Sequence, residues 1–141
     1  MATGQRAVEA GETLDSLVDQ FADPYAFLRE LIQNAIDAGS SQVWVSFEFR
    51  ASKDGEKGIF ILHVDDTGEG MTREIIDTQL TRLFSSSKEN DLTKIGKFGI
   101  GFVSVFALKP DAVIVDTGRG GENWRIFFKK DRTFDRIVLD R

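Results

Sequence analysis

The spacing of apolar positions divides the chain into helices first and strands afterwards. Between Pro24 and Ala38, the residues Phe27, Leu28, Leu31, Ile32, Ala35 and Ile36 recur at the three- and four-residue interval of a helix. Asp23 and Pro24 supply an N-cap and a proline at the first helical position, and Gly39 stands where a left-handed residue ends a helix. A shorter amphipathic helix is predicted over Glu12–Gln20, with Leu14, Leu17 and Val18 on one side. Val43, Val45, Phe47 and Phe49 then alternate with Trp44, Ser46, Glu48 and Arg50, the period of two that marks a strand. Ser52–Gly58 is a polar hairpin loop, and Ile59–Val64 is a second strand, nearly continuous in apolar residues.

The remaining chain follows the same logic. Thr72–Phe84 is predicted helical, Ser85–Lys94 polar and mobile, and Gly96–Gly101 a glycine-rich lead into a helix over Phe102–Leu108. Three strands follow at Ala112–Asp116, Trp124–Lys129 and Arg136–Leu139, with a turn at Gly118–Glu122. The class is therefore α+β: a mostly antiparallel sheet covered on one face by helices. A length of 141 residues suits one domain with one core.

Composition narrows the function classes. Of the aromatic residues, 12 are Phe, 2 Trp and 1 Tyr, which predicts a Phe-rich core. The formal net charge of −5 argues against a domain that binds nucleic acid through a basic surface. There is no Cys, which removes disulfides and thiolate metal sites. The N-terminus lacks the apolar stretch of a signal peptide, and no run approaches the ~20 apolar residues of a membrane span. A soluble cytoplasmic protein is the expectation.

Three motifs carry candidate chemistry. In the first, Glu30, Asn34 and Asp37 lie at i, i+4 and i+7, on one stripe of the predicted helix. A carboxylate, an amide and a second carboxylate beside an apolar face exceed what a solvated helix face requires, because the other sides of the helix are expected to be largely buried. In the second, Asp66, Gly68, Gly70 and Met71 directly follow an apolar strand. The glycines permit positive φ and close approach of a ligand to the backbone, and an Asp at a strand end accepts a hydrogen bond from an exocyclic amine. An Asp-x-Gly by itself describes a tight turn equally well. In the third, three glycines in Gly96-Lys97-Phe98-Gly99-Ile100-Gly101-Phe102 precede a helix, so backbone N–H groups there can face phosphates. The spacing is neither that of the dinucleotide fingerprint nor that of a P-loop.

Together and in this order, the motifs resemble the N box, G1 box and G2 box of the GHKL ATPase superfamily, over roughly residues 12 to 117. That superfamily includes the ninety-kilodalton heat-shock chaperones, DNA gyrase, MutL and the histidine kinases. The stretches Phe27–Ala35 and Ile95–Phe102 are most similar to the chaperone branch. The resemblance implies a two-layer α/β sandwich, the Bergerat fold, with ATP and Mg²⁺ held between helices and sheet. It implies that Glu30 is the general base for hydrolysis. Asn34 helps coordinate Mg²⁺, and Asp37 sits near ribose and phosphates. Asp66 contacts the adenine amine, with Gly70 and Met71 lining the base pocket. Gly96, Lys97, Phe98, Gly99, Ile100, Gly101 and Phe102 form the phosphate-side loop, and residues 72 to 95 match the family's lid. Ala38, Gly68 and Gln79 are further nucleotide-binding positions on this correspondence.

Glu30 and Asp37 separate the chain from the kinases, which carry Asn and Lys at those positions. The lone His63 is expected to be a satisfied strand residue rather than a phosphoacceptor. Some features depart from the family pattern. Lys97 replaces the usual Gln, and Gln79 stands where an Asn is frequent. No Gly-Thr pair follows residue 121, where the family carries a Thr that supports the adenine contact. The chain is expected to be a C-terminally truncated piece of a longer ATPase, binding ATP or ADP, with homodimerisation through downstream regions and an unknown protein client. The expected cycle is a chaperone-like conformational switch. The alternatives are a DNA-associated ATPase of the MutL or MORC kind and a nucleotide-sensing module without turnover.

Overall fold

The computed structural model describes residues 18, 23, 25–85 and 101–139. The helix expected over Glu12–Gln20 (apart from Val18, which is helical and buried), Pro24, the stretch from residue 86 to Lys94 and the Gly96–Ile100 part of the third motif lie outside them. Helix α1 covers Ala26–Asp37. Its start is set by Asp23, whose carboxylate accepts the Tyr25 N–H at 2.9 Å and whose carbonyl accepts that of Ala26 at 3.1 Å. Its end is the predicted one. Gly39 has φ +80°, its N–H reaches the Ile36 carbonyl, and the Ser40 N–H reaches back to the Ala35 carbonyl. These two bonds form the Schellman pattern and satisfy carbonyls that the last turn leaves open.

Strands β1 (Val43–Ala51) and β2 (Gly58–Asp66) form an antiparallel hairpin whose register runs from Val43 opposite Asp66 to Ala51 opposite Gly58. In the loop between them the Ser52 hydroxyl hydrogen-bonds Asp54 and holds its carboxyl below the usual carboxylate range. Strands β3 (Ala112–Arg119), β4 (Glu122–Lys129) and β5 (Phe134–Val138) form a second antiparallel ladder. The β3–β4 turn is shorter than predicted. Gly120 and Gly121, with φ +61° and +83°, make a two-residue turn that requires left-handed backbone at both positions. The antiparallel α+β class holds, but among the described residues the strands form two separate ladders, β1–β2 and β3–β4–β5.

Two helical segments differ in detail from their expected forms. The Thr72–Phe84 helix begins as a single turn, α2 (Arg73–Ile75), capped by the Thr72 hydroxyl. It then widens into a π turn (Ile76–Leu80) and resumes as α3 (Arg82–Ser85). Both the N–H and the hydroxyl of buried Thr81 donate to the Ile76 carbonyl, at 2.9 and 3.0 Å, which fixes the five-residue register. Residues 101–103 are helical, but Ser104–Leu108 is a 3-10 helix. It stops at Lys109, which is left-handed at φ +52° and precedes Pro110, a ring that disfavours α backbone in the residue before it.

The core lies between the helices and one face of the β3–β4–β5 ladder. Ile76, Leu80, Phe102, Val103, Phe106, Ile126 and Phe128 are buried together, with Phe84 and Phe134 packed against them. Ring centroids of Phe84, Phe102, Phe106 and Phe128 stand 4.9 to 6.2 Å apart in tilted or edge-on pairs. This is the predicted Phe-rich core. Helix α1 packs against the 3-10 helix and buries Phe27 and Ala35, but Ile32 and Ile36 are 37% and 56% exposed. The expectation that the other sides of α1 are largely buried therefore fails. Of the two, Ile36 is the more open to solvent.

Candidate functional site

Two of the three α1 polar positions face Gly101 of the third motif. A Cβ placed on buried Gly101 would lie 2.9 Å from the Glu30 carboxylate oxygen Oε2 and 3.7 Å from Asn34 Oδ1. A side chain at position 101 would crowd the Glu30 carboxylate, while the Asn34 oxygen would stay at ordinary contact distance. The Ser104 hydroxyl holds the backbone there by donating to the Gly101 carbonyl at 2.6 Å. Glu30 and Asn34 are both half-buried, one turn apart. Asp37 shares their stripe but is exposed, and the Gln33 side-chain amide donates to it at 2.9 Å.

The second motif closes onto the end of α1. Asp66 Oδ1 accepts the Gly68 N–H at 2.8 Å and the Ser40 hydroxyl at 3.3 Å. The Ala38 carbonyl accepts the Glu69 N–H at 2.9 Å. A Cβ on Gly68 would stand 2.8 Å from the Ala38 Cβ and 2.9 Å from Ser40 Oγ, so the turn runs hard against the helix end. Gly70 has φ +74°, and a Cβ there would overlap the Gly118 carbonyl of β3. The next N–H, from Met71, donates to the Thr117 hydroxyl at 2.7 Å. Asp66 is exposed, and its Oδ2 accepts no hydrogen bond among the described residues.

Helix α1 thus touches Gly101 along its length and the Asp66–Met71 turn at its end: Glu30 and Asn34 stand against Gly101, Ala38 and Ser40 against Gly68, and Gly70 and Met71 against β3. Two candidates stand apart. The Phe102 ring is buried among Phe84, Phe106 and Phe128, so only its backbone is available to a ligand. Gln79 is half-buried in the π turn and makes no hydrogen bond among the described residues. Gly96, Lys97, Phe98, Gly99 and Ile100 lie outside those residues. His63 is half-buried, with Nε2 3.1 Å from Glu48 Oε2, as expected of a satisfied strand residue. Arg50, with His63 adding to it, holds the Glu48 carboxyl below its ordinary range.

Sequence reasoning missed two residues. Ser40 and Thr117 hold the turn from 26 and 46 positions away, and no local pattern marks either. The only signal is a hydroxyl residue beside a glycine in each case, Gly39-Ser40 and Thr117-Gly118. Among the described residues no group of three or more His, Asp or Glu could hold a metal ion. The oxygens that α1 offers beside Gly101, those of Glu30 and Asn34, are of the hard kind that suits Mg²⁺, an ion commonly held by one or two protein oxygens plus phosphates. No helix among the described residues is long and apolar enough to cross a membrane.

Comparison with known proteins identifies the family. Residues 25–135 match the family described as histidine kinase-, DNA gyrase B-, and HSP90-like ATPase. The chain is 32% identical over 157 residues to the chaperone protein HtpG of Chlorobium luteolum, covering 92% of this chain and 25% of that protein. It is 33% identical over 146 residues to HtpG of Anaplasma phagocytophilum, covering 83% and 22%. For HtpG of Clostridium botulinum strain Loch Maree the values are 30% over 140 residues, covering 85% and 22%. The chain spans about a quarter of the length of these relatives. On this match, the chain belongs to the histidine kinase-, DNA gyrase B- and HSP90-like ATPase family.

Proposed function

We propose that this domain binds ATP with Mg²⁺ along the line of Glu30, Asn34, Asp66 and Gly101, and that the longer protein hydrolyses the nucleotide to drive a chaperone-type conformational cycle. The observation that carries this reading is Gly101 seated against the Glu30 carboxylate and the Asn34 amide. A carboxylate, an amide oxygen and Gly101 stand together there, which supports the reading. Asn34 would hold Mg²⁺, which when bound neutralises phosphate charge. Glu30, one turn earlier on α1, orients and deprotonates the attacking water. The adenine end falls to Asp66, whose Oδ2 accepts the exocyclic amine, with Gly70 and Met71 beside it. Phosphate oxygens would meet the backbone of 96–101, and Asp37 would reach ribose or phosphate from the helix end. The HtpG relatives carry the word chaperone in their names, and 30–33% identity to them favours that branch of the family. A soluble cytoplasmic setting accompanies this reading.

The test is a comparison of wild type with Glu30→Gln in the full-length protein. ATP binding by calorimetry is expected to stay within about threefold, while turnover falls by about 10²–10⁴-fold, the range that loss of a general base removes. Turnover that survives the substitution refutes the role of Glu30. A wild-type protein that binds no ATP refutes the nucleotide reading as a whole.

A further inference from the structure

Thr117 lies outside all three motifs, yet the turn that carries Asp66 ends on it. Its hydroxyl accepts the Met71 N–H at 2.7 Å, in a half-buried setting. The same oxygen is 3.1 Å from where a Cβ on Gly70 would stand, and the Gly118 carbonyl fills the space that such a Cβ needs. The near end of the turn is held separately. Asp66 and Glu69 are tied to Ser40 and Ala38, and the Gln42 carbonyl accepts the Thr67 N–H at 3.3 Å. The turn is therefore clamped at both ends, by the C-terminal side of α1 and by β3. The two ladders share no strand among the described residues, so the β3 end of the clamp rests on contacts of this kind, with Arg119 adding a longer one to Glu69 at 3.6 Å.

We propose that Thr117 is a positioning residue for nucleotide binding: its hydroxyl oxygen, by accepting the Met71 N–H, fixes the base-side turn in the conformation that presents Asp66. The inference rests on the adenine-nucleotide reading above. What matters is the acceptor oxygen. A valine fills nearly the same volume but leaves the Met71 N–H without a partner, and a half-buried N–H without one is costly. A serine keeps the oxygen and loses only a methyl group. Because the turn touches the base and not the phosphates, the loss is the same for every adenine nucleotide.

The experiment is calorimetric titration of the 141-residue chain with ATP, ADP and AMP for wild type, Thr117→Val and Thr117→Ser, alongside thermal melting. Thr117→Val is expected to weaken all three nucleotides by about tenfold, from loss of one partner of a half-buried hydrogen bond, at temperatures well below its melting point. Thr117→Ser is expected to restore affinity to within about twofold of wild type, since the same bond re-forms. Unchanged affinity in Thr117→Val overturns the inference. So does a serine variant as weak as the valine, which would make the methyl group the important part. A loss that grows with the number of phosphates also overturns it, because it places the effect at the other end of the ligand. If the valine variant does not fold, the serine variant decides alone by the same criterion. A wild-type chain that binds none of the nucleotides overturns the nucleotide reading and this inference with it, whereas wild-type binding with an indifferent Thr117→Val overturns the inference only.

Discussion

Asp66 uses one of its two carboxylate oxygens to hold its own turn. Oδ1 accepts both the Gly68 N–H and the Ser40 hydroxyl, and Oδ2 is left without a partner among the described residues. A substitution can separate these duties. Asn at position 66 keeps an oxygen for Gly68 and Ser40 but replaces the second acceptor with a donor. The expected outcome for Asp66→Asn is a melting temperature near that of wild type and ATP affinity lower by about tenfold or more, since mismatching a hydrogen bond that the bound base covers costs about 1–3 kcal/mol. GTP affinity should change little, so the ratio measured by parallel titrations should narrow. An unchanged ATP-to-GTP ratio removes Asp66 from base selection. The residues of this site were legible in the sequence wherever they share a helix turn or a strand end, as Glu30 with Asn34 or Asp66 with Gly68. Their supports, Ser40 and Thr117, were not, because each acts across a contact that chain spacing does not encode.

Elements show the same division between local and distant causes. Helix α1 reads from the sequence at both ends, because its cap at Asp23 and its Gly39–Ser40 termination are made by neighbours in the chain. The π turn does not. Its apolar spacing is that of an ordinary helix, and the extra residue is accommodated because Ile76, Leu80 and Thr81 are all buried against the core. Asp77 on the same turn faces Arg136 of β5, which in turn lies 5.4 Å from the Trp124 ring centroid, so the distortion is tied to the second ladder as well. Thr81→Val keeps the shape of the side chain and removes one of the two bonds to the Ile76 carbonyl. It should lower unfolding free energy by about 0.5–1.5 kcal/mol, the usual net value of a hydrogen bond whose acceptor keeps another partner. Urea titration measures this directly. A variant as stable as wild type would show that burial alone sets the five-residue register.

For the whole molecule, the sequence pattern predicted the antiparallel strands and the Phe-rich core but not the division into two ladders. Alternation identifies a strand without naming its neighbours. The β1–β2 hairpin stands outside the core, and Phe47, Phe49, Ile59 and Phe60 are 64 to 67% exposed on it. The Phe47 and Phe60 rings touch each other, 5.6 Å between centroids, and little else covers them. Exposed aromatic pairs on a strand promote self-association. Replacing both with Thr, which keeps β propensity, should reduce concentration-dependent light scattering of the 141-residue chain while shifting the melting temperature by only a few degrees. Scattering that rises with concentration as in wild type would clear this surface of that effect.

The Asp66–Met71 turn gives this arrangement a thermodynamic meaning. It is the seam between the two ladders, gripped on one side by α1 and the hairpin and on the other by β3. A ligand bound at a seam is bound by both sides at once, so its affinity and the angle between those sides are linked quantities. Whatever free energy the ligand gains by preferring one angle is the free energy with which it can enforce that angle, and neither can change without the other.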